Sequence, residues 1–572
     1  MSPASTHIPH AIRALVRRVL RRAASSFLLA ALAGPAHAAW PSSPAVNLPV
    51  CTASGAQYFR SAIPDGQGGM IIAWSDERSD TADVYAQRVS AAGVALWTPQ
   101  GVRICGAPWQ QGDVTMLADG AGGAFVAWRD DRKRWESDIH AQRIDANGTP
   151  QWAADGVAVC RMPGDQLAPR LARSDFSTVI VVWEDRRLTS GTYAQRLSAT
   201  GVRLWDTSGV ALSSAAPPRF EPVAASDGVG GAIVAWTQQG ANGHDIVAQR
   251  VDDVGQLLWG ATGRLIAGGP GEQIEPAIIE GELYRVYLAW EDDAGGSSTI
   301  RLLDLDILGA TRFSSMSGLA LSQASRAGKR PTLVRDRATG AIVTWHETLV
   351  GSQDIRAQRV APYGALHWPA GGALVCGASG VQQFPTLVSD GRGGALIAWE
   401  DLRTGAWDIH AQRMDSLGLP KWGANGRIVS SAPSSQLGPF IVGELDSVAI
   451  VVWTDQRSGG TDIHAQQIPL EVTLDVPLLS GPRIALASSP NPSRLDASIE
   501  FTLAETGPVM LTLHDAAGRI VRDLSRPTAP AGPQRVLWDG LDDRGLELPP
   551  GIYLARLIAA GREGRLTLVR TR

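Results

Sequence analysis

Short apolar runs alternate with glycine-rich polar segments along most of the chain, and residues 384–431 show this most clearly. There PTLVS (385–389) and ALIAW (395–399) flank the polar segment DGRGG, and DIHAQRMD (408–415) follows a second polar segment. Runs of this length, separated by Gly and Asp, are typical of antiparallel β-strands joined by hairpin turns. The ALIAW run is apolar on both faces, which indicates a sheet that is covered on both sides. Because the repeats show no helical periodicity, the pattern predicts an all-β fold.

One tryptophan of this unit recurs at intervals of 53 to 55 residues. The repeated tryptophans are Trp74, Trp128, Trp183, Trp236, Trp290, Trp345, Trp399 and Trp453. A fixed period of this size is typical of solenoids and propellers, and four short antiparallel strands per repeat describe a propeller blade. We therefore assign these eight tryptophans a structural role. The sequence predicts an eight-bladed β-propeller over residues 39–470.

A second aromatic residue follows the first by 22 to 24 residues and marks the fourth strand of each repeat. It is Trp97, Trp152, Trp205, Trp259, Phe313, Trp368 or Trp422. The eighth repeat has Val476 at this place, whereas Trp40 opens the N-terminal segment WPSSPAVNLPVC, which resembles WTPQGVRIC of the first repeat. We therefore expect the N-terminal strand to complete the last blade, which leaves no open sheet edge. An open superhelical array is the alternative.

Two polar motifs of the repeats have both a structural and a functional interpretation. The segment DGxGG, as at 390–394, predicts a tight turn with positive φ, because it lacks the alternating acids of a calcium loop. The motif Asp-x-Arg, as in Asp401 and Arg403, follows five of the repeated tryptophans, and an aspartate such as Asp408 begins the third strand. We expect the arginine to cross its hairpin and pair with that third-strand aspartate. A ring of acids that binds a cation or a sugar is the alternative.

Cysteines and histidines also occupy equivalent places in the repeats. The four cysteines are Cys51, Cys105, Cys160 and Cys376. Neighbouring blades lie about 10 Å apart, whereas a disulfide requires Cα atoms within about 7 Å, so we expect buried thiols. The same distance argues against a zinc ion shared by His140, His410 and His464 of the repeated DIHAQ segment.

The N-terminal segment differs from the repeats and predicts export. Five arginines between Arg13 and Arg22 precede the apolar run FLLAALAG (27–34), and AHA (36–38) offers a cleavage site. We expect cleavage of residues 1–38 near Ala38 and a mature protein that is secreted or held at the cell surface. A membrane anchor is the alternative, but the apolar run is well short of the about 20 residues that span a bilayer. No other segment predicts an integral membrane contact.

Charge and motifs exclude several classes of function. The chain has 52 Lys and Arg against 56 Asp and Glu, a formal net charge of −4. Without a basic excess, nucleic acid is not an expected partner. There is no G-x-S-x-G, H-E-x-x-H, C-x-x-C or P-loop motif, so the sequence assigns no catalytic, cofactor-binding or metal-binding residue.

The repeats stop at about residue 470, and after a linker at 471–483 the residues 484–572 follow another pattern. Their landmarks are Asn491-Pro492, Asp515, Gly518-Arg519, Trp538-Asp539-Gly540, Asp543, Gly545 and Gly551-Ile552-Tyr553. This segment resembles the Ig-like domain of the flagellar hook-capping protein and the type A sorting domains of the type IX secretion system. The resemblance implies a small β-sandwich that acts in secretion or surface attachment, with the export machinery as its partner.

Exposed tryptophans are the candidate ligand-binding residues. Trp109, Trp135 and Trp407 lie in the links between blades or in loops after the second strand, which share one face of a propeller. There they could stack on sugars or on peptide side chains. We expect a monomeric, non-enzymatic module that binds a surface glycan or protein without a cofactor. A secreted polysaccharide hydrolase or lyase with its site on this face is the alternative.

Overall fold

A computed structural model describes residues 40–571 apart from residues 80, 176, 188–189, 214–218, 283, 295, 337–339, 446–447, 470–483, 485, 492, 495, 515–519, 543–544 and 560–561. The expected export signal and the expected linker therefore lie outside the described residues. All regular secondary structure in the described residues is β-strand, as predicted, so none of them forms a helix that could cross a membrane. The chain divides into two compact units, and the boundary follows residue 471.

The strands of the first unit are short and recur with the repeats. They are β1 (Leu48–Cys51), β2 (Gln57–Pro64), β3 (Met70–Ser79), β4 (Thr81–Val89), β5 (Val102–Cys105), β6 (Gln111–Ala118), β7 (Ala124–Asp130), β8 (Asp138–Ile144), β9 (Val157–Cys160), β10 (Gln166–Arg173), β11 (Val179–Asp185), β12 (Gly191–Leu197), β13 (Val210–Ala211), β14 (Arg219–Ser226), β15 (Ala232–Gln239), β16 (His244–Val251), β17 (Arg264–Ala267), β18 (Gln273–Glu280), β19 (Arg285–Asp292), β20 (Thr299–Asp306), β21 (Leu319–Ala320), β22 (Ala327–Arg335), β23 (Ala341–Leu349), β24 (Ser352–Val360), β25 (Ala373–Cys376), β26 (Gln382–Ser389), β27 (Ala395–Asp401), β28 (Asp408–Met414), β29 (Arg427–Ser430), β30 (Gln436–Leu445), β31 (Val448–Asp455) and β32 (Asp462–Pro469).

Within the described residues, these strands form eight antiparallel sheets of four strands each. Seven sheets consist of four consecutive strands, from β2–β5 in the first to β26–β29 in the seventh. The eighth has the order β1-β32-β31-β30, with Leu48 of β1 opposite Ala465 of β32. This is the pairing that the position of Trp40 predicts. Consecutive sheets contact each other through their first strands, and β30 of the eighth sheet contacts β2 of the first.

The eight repeated tryptophans lie on the second strands of the sheets and are fully buried. These strands are covered on both faces, as their apolar sequences predict; β11 and β27 are buried along their whole length. The buried clusters combine apolar residues of neighbouring sheets. In one of them, Trp74 of the first sheet lies together with Val452 and Ile463 of the eighth. The core of the first unit thus lies between its sheets.

In five repeats the second aromatic residue ties its sheet to the next one. The indole N–H of Trp97 donates to the carbonyl oxygen of Ala146 at 3.0 Å, in the turn that follows β8. The same bond is made by Trp152, Trp205, Trp259 and Trp368. Trp40 donates in the same way to the carbonyl oxygen of Ala91 at 2.9 Å, in the turn that follows β4 of the first sheet. Trp40 therefore takes the place of the second aromatic residue that the eighth repeat lacks.

The second unit is a smaller two-sheet structure. Its strands are β33 (Ala487–Ser489), β34 (Ala497–Leu503), β35 (Gly507–His514), β36 (Ile520–Asp523), β37 (Arg526–Ala529), β38 (Gly532–Trp538), β39 (Gly551–Ala559) and β40 (Arg562–Arg570). One sheet has the order β33-β34-β38, and the other has the order β36-β35-β39-β40 with β37 also paired to β35. Both sheets contribute to one apolar core, in which the rings of Trp538 and Tyr553 meet edge to face at 5.3 Å.

Candidate functional site

A Trp–Asp–Arg cluster lies at the end of the second strand in five sheets. Trp74 Nε1 donates to Oδ2 of Asp76 at 2.7 Å, and Arg78 donates to both carboxylate oxygens, at 2.8 and 2.5 Å. The second, third, seventh and eighth sheets contain the same cluster. The expected pairing of the arginine with the third-strand aspartate is therefore wrong. The indole N–H holds the nearer aspartate in place, so that both carboxylate oxygens face the guanidinium fork.

The third-strand aspartates have other partners. Asp138 accepts a hydrogen bond from Lys133 Nζ at 3.0 Å, and Asp408 accepts one from the hydroxyl of Thr404 at 2.6 Å. Burial raises the pKa of Asp408, and the hydrogen bond from Thr404 opposes that shift. In the part of the chain that the structure describes, no three His, Cys, Asp or Glu side chains could together hold a metal ion. These acids thus support the hairpins in which they lie.

The four cysteines are free and buried beside these clusters, as expected. Arg78 Nη2 lies 3.1 Å from the Cys51 sulfur, and Arg403 Nη2 lies 3.2 Å from the Cys376 sulfur. Burial raises the pKa of Cys51 and of Cys376 to about 11, and that of Cys105 to about 12. These thiols therefore stay protonated near neutral pH and are poor nucleophiles.

The DGxGG segments form tight turns, as predicted, and their aspartates bind the arginine of the DIHAQR strand. Asp119 Oδ1 accepts the backbone N–H groups of Ala121 at 2.8 Å and Gly123 at 2.9 Å. Its other oxygen accepts two bonds from Arg143, at 3.0 and 2.9 Å. The glycines on either side of Ala121 have φ of 78° and 83°. Asp119 thus joins the turn to the third strand and has no oxygen left for a calcium ion.

The histidines of the DIHAQ segments lie in the core. His140 and His410 are buried and stack on Trp128 and Trp399, with ring centroids 6.3 and 6.2 Å apart. Burial lowers the pKa of His140 to about 3 and that of His410 to about 4, so both are neutral near pH 7. A tyrosine stacks at the same place in the first and third sheets. The histidine position is therefore a packing position.

Two of the three candidate tryptophans come together in the second sheet. Trp109 lies in the link before β6, and Trp135 lies in the loop between β7 and β8. The link and the loop are joined by the backbone N–H of Asp131, which donates to the carbonyl oxygen of Gln110 at 2.9 Å. The guanidinium of Arg134 lies over both indoles, 4.8 Å from the ring centroid of Trp109 and 4.7 Å from that of Trp135. Trp109 is 44% exposed and Trp135 is 80% exposed.

We call Trp109, Arg134 and Trp135 the indole–arginine stack, and the side of the sheets with the links and second-to-third-strand loops the loop face. Trp109 has a φ of 67° and Arg134 a φ of 72°, which is costly for large side chains. Trp109 lies two residues before Gln111, whose side chain donates to the Trp109 carbonyl oxygen at 3.0 Å. Four other repeats have glycine at the Trp109 place: Gly55, Gly164, Gly271 and Gly380. Ser434 of the eighth repeat has the same φ of 67°, so the left-handed backbone belongs to the repeat, and the exposed indole distinguishes the second repeat.

Sequence reasoning did not single out Arg134. The available signal was the tryptophan at a glycine position, together with the basic residues that precede Trp135 in the longer loop DDRKRWES.

Trp407 lies apart from this stack, in the loop between β27 and β28 of the seventh sheet. Its side chain is half-buried. Its carbonyl oxygen accepts the backbone N–H of Gln436 at 2.7 Å, at the start of the eighth sheet. The carbonyl oxygen of Ser137 accepts the N–H of Gln166 in the same way. Trp407 thus occupies a position that joins neighbouring sheets.

A cavity of about 460 Å³ lies where the link between β1 and β2 meets the loop between β31 and β32. Its walls include Thr52, Ser54, Arg457, Asp462 and His464. None of the candidate tryptophans lines it. Burial lowers the pKa of His464, so this cavity offers a neutral imidazole beside hydroxyl groups.

The first strands of the second to eighth sheets each carry a bulge, and the residue at this bulge has a positive φ. The residues at this place are Asp113, Ala168, Glu221, Glu275, Arg330, Phe384 and Gly438. Glu221 occupies this place in β14 and Glu275 occupies it in β18, and these two strands are in contact. Burial raises the pKa of Glu275, the charge of Glu221 raises it further, and Arg330 opposes the shift. A carboxylic acid with a raised pKa can act as a general acid.

Comparison with curated protein sequences found no match. Among solved structures, the chain is similar to an ulvan lyase of polysaccharide lyase family PL25, with 9% identity over 74% of this chain and 96% of that chain, and a TM-score of 0.43. PorZ, a surface component of the type IX secretion system of Porphyromonas gingivalis, has 11% identity over 91% of this chain and 71% of that chain, with a TM-score of 0.33. A puromycin-hydrolyzing peptidase of Mycobacterium tuberculosis has 16% identity over 73% and 61% respectively, with a TM-score of 0.40. These TM-scores are below 0.5 and the three proteins differ in activity, so none of them indicates a function for this chain.

The C-terminal unit matches a defined family. Residues 494–562 match the family of FlgD Ig-like domains. This match lies within the segment that resembles the hook-capping Ig-like domain, and it confirms that part of the resemblance. The likeness to type IX sorting domains stays a prediction. The C-terminal unit therefore carries an FlgD Ig-like domain.

Proposed function

We propose that this chain is an exported eight-bladed β-propeller that binds a glycan on its loop face without converting it. In this proposal the FlgD Ig-like domain serves secretion or attachment at the cell surface. The observation that carries the binding function is the indole–arginine stack, in which Trp135 is 80% exposed.

Three contacts between the eighth and first sheets support a closed ring. The first strands of the two sheets touch, and Trp74 shares a buried cluster with Val452. The indole N–H of Trp40 also donates a hydrogen bond to the turn after β4, as the indole N–H of Trp97 does to the turn after β8. An open array would leave these surfaces of the two end sheets uncovered.

Stacking on a sugar ring is the chemistry that the site offers. An exposed indole presents a flat apolar face, and the C–H groups of a pyranose present another. Arg134, which also lies over Trp109, contacts Trp135 on one side, so less side-chain entropy is lost when a ligand binds. The shared backbone conformation does not require a tryptophan at a place where four other repeats have glycine.

A glycan array with the full chain tests the proposal. We expect Trp135→Ala to weaken binding about tenfold or more, because the apolar contact area is lost. Tyr363→Ala is the matched control, since Tyr363 is 76% exposed and lies under Arg312 at 5.5 Å but belongs to the sixth sheet. Equal binding by Trp135→Ala and the unchanged protein would overturn the proposed site.

A secreted polysaccharide hydrolase or lyase is the second candidate. The raised pKa of Glu275 beside Glu221 favours it, because such a pair can supply the acid and the base of glycoside cleavage. The bound glycans of the array are therefore incubated with the protein and assayed for new reducing ends and unsaturated products. We expect neither; turnover would replace the binding function with catalysis.

A further inference from the structure

Arg134 is a cation that the surrounding loops leave without a counter-ion. Lys133 Nζ lies 3.0 Å from Asp138, and Arg132 binds both oxygens of Asp130. Among the described residues, Arg134 contacts its two indoles and no carboxylate within ion-pair distance. The loop thus holds two basic side chains with partners and one without.

The guanidinium of Arg134 lies against the two indoles, and the Arg134 side chain is exposed to solvent. Stacking engages the faces of the planar group, whereas its N–H donors lie in the plane. Those donors form a fork that matches the spacing of two oxygens in a carboxylate or a sulfate group. Because the side chain is already held by the stack, little further entropy is lost on pairing.

We propose that the ligand of the loop face is an acidic polysaccharide. A carboxylate of a uronic acid, or a sulfate ester, pairs with Arg134 while the sugar ring lies on Trp135. This inference rests on the proposed glycan-binding function and adds the charge of the ligand to it. An acidic peptide offers the anion but not the pyranose face, so the exposed indole favours the sugar.

Matched polymers separate the contribution of charge from that of the sugar ring. The full chain is titrated with polygalacturonate and with the same polymer after reduction of its carboxyl groups to neutral hydroxymethyl groups. A sulfated galactan and its desulfated form provide the second pair, which distinguishes carboxylate from sulfate. We expect at least one acidic polymer to bind about tenfold or more tightly than its neutral form, since charged hydrogen bonds are the stronger class.

Variants at Arg134 assign the charge preference to that residue. We expect Arg134→Gln to remove the preference, so that binding of the acidic polymer weakens about tenfold more than binding of its neutral form. Arg134→Lys keeps the charge but lacks the fork, and it should retain only part of the preference. Arg186→Gln is the control: it makes the same change in charge in the next sheet, at an arginine that already binds Glu184 at 2.8 Å.

The outcomes distinguish this inference from the proposed function. Equal affinity for acidic and neutral polymers, with loss of both in Trp135→Ala, would overturn the acidic ligand and keep the glycan site. A charge preference that survives in Arg134→Gln would also overturn it. Binding of polyglutamate but of none of the polysaccharides would show a peptide ligand instead. If no polysaccharide binds, or if Trp135→Ala binds the polysaccharides as well as the unchanged protein does, the proposed function itself fails.

Discussion

At the level of single residues, the tryptophans of this protein have opposite surroundings. Trp128 is fully buried, and its N–H is bound by Asp130 at 2.8 Å. Trp135 is 80% exposed and touches Arg134 on one side of its ring. Removal of a buried indole from water stabilises the fold. An exposed indole can instead gain this free energy when a ligand covers it. Residue type alone therefore says little about function here.

Buried histidines make the free energy of unfolding depend on pH. The pKa of His140 is lowered from its usual 6.5 to about 3, and that of His410 to about 4. Their contribution to stability is present above pH 6.5 and is lost as the pH falls toward these values. The reason is that these histidines bind protons in the unfolded chain at a pH at which they stay neutral in the folded chain. We expect His140→Tyr to reduce the stability loss between about pH 7 and about pH 5 by about 2 kcal/mol. Urea unfolding at the two pH values measures this.

The control for this prediction is His367→Tyr, which makes the same replacement at an exposed position. It should leave the pH dependence as it is. Tyrosine fits the core position, since Tyr85 and Tyr193 stack there in other sheets at 6.2 and 6.1 Å. An unchanged pH dependence in His140→Tyr would contradict the assignment of the buried imidazole as its source.

At the level of elements, strand pairing holds each sheet, and some sheets, such as the second, also have an ion pair at each end. The tryptophan period and the apolar second strands predict the sheets, because burial on both faces fixes which residues can lie there. The partner of the Asp-x-Arg arginine could not be predicted, since Asp76 and Asp83 are both within its reach and only the indole N–H of Trp74 decides between them. Arg134 escaped prediction because its contacts join two loops with left-handed backbone.

The turn aspartates are predicted to matter through their arginines. Asp119→Asn keeps an oxygen for the turn N–H groups but loses the charge that faces Arg143. We expect a loss of about 1 kcal/mol for this change and about 2 to 3 kcal/mol for Asp119→Ala, which also removes the turn acceptor. Urea unfolding measures both. Asp145→Asn is the control, since Asp145 accepts two turn N–H groups and a bond from Gln151 instead of an arginine. Equal losses at positions 119 and 145 would show that the arginine contributes nothing.

At the level of the whole first unit, stability depends on whether the sheets close on themselves. In an open array each repeat contacts only its neighbours, so the end repeats fray and unfolding proceeds in steps. In a closed ring every sheet has two neighbours, and loss of one junction weakens all of them. The junction between the eighth and first sheets is built from β1, from Trp40 and from the cluster around Trp74.

Trp40→Ala therefore tests closure, with Trp97→Ala as the reference. Both indoles donate to a carbonyl oxygen in the turn of the next sheet, at 2.9 and 3.0 Å. In a closed ring the two variants should lose similar free energies of unfolding, about 2 to 4 kcal/mol each, and both should unfold in one transition. In an open array Trp40→Ala would release only the end sheets and produce a separate early transition, while Trp97→Ala would divide the array internally. Chemical unfolding followed by tryptophan fluorescence and far-ultraviolet circular dichroism distinguishes these results. An early transition confined to Trp40→Ala would contradict the closed propeller.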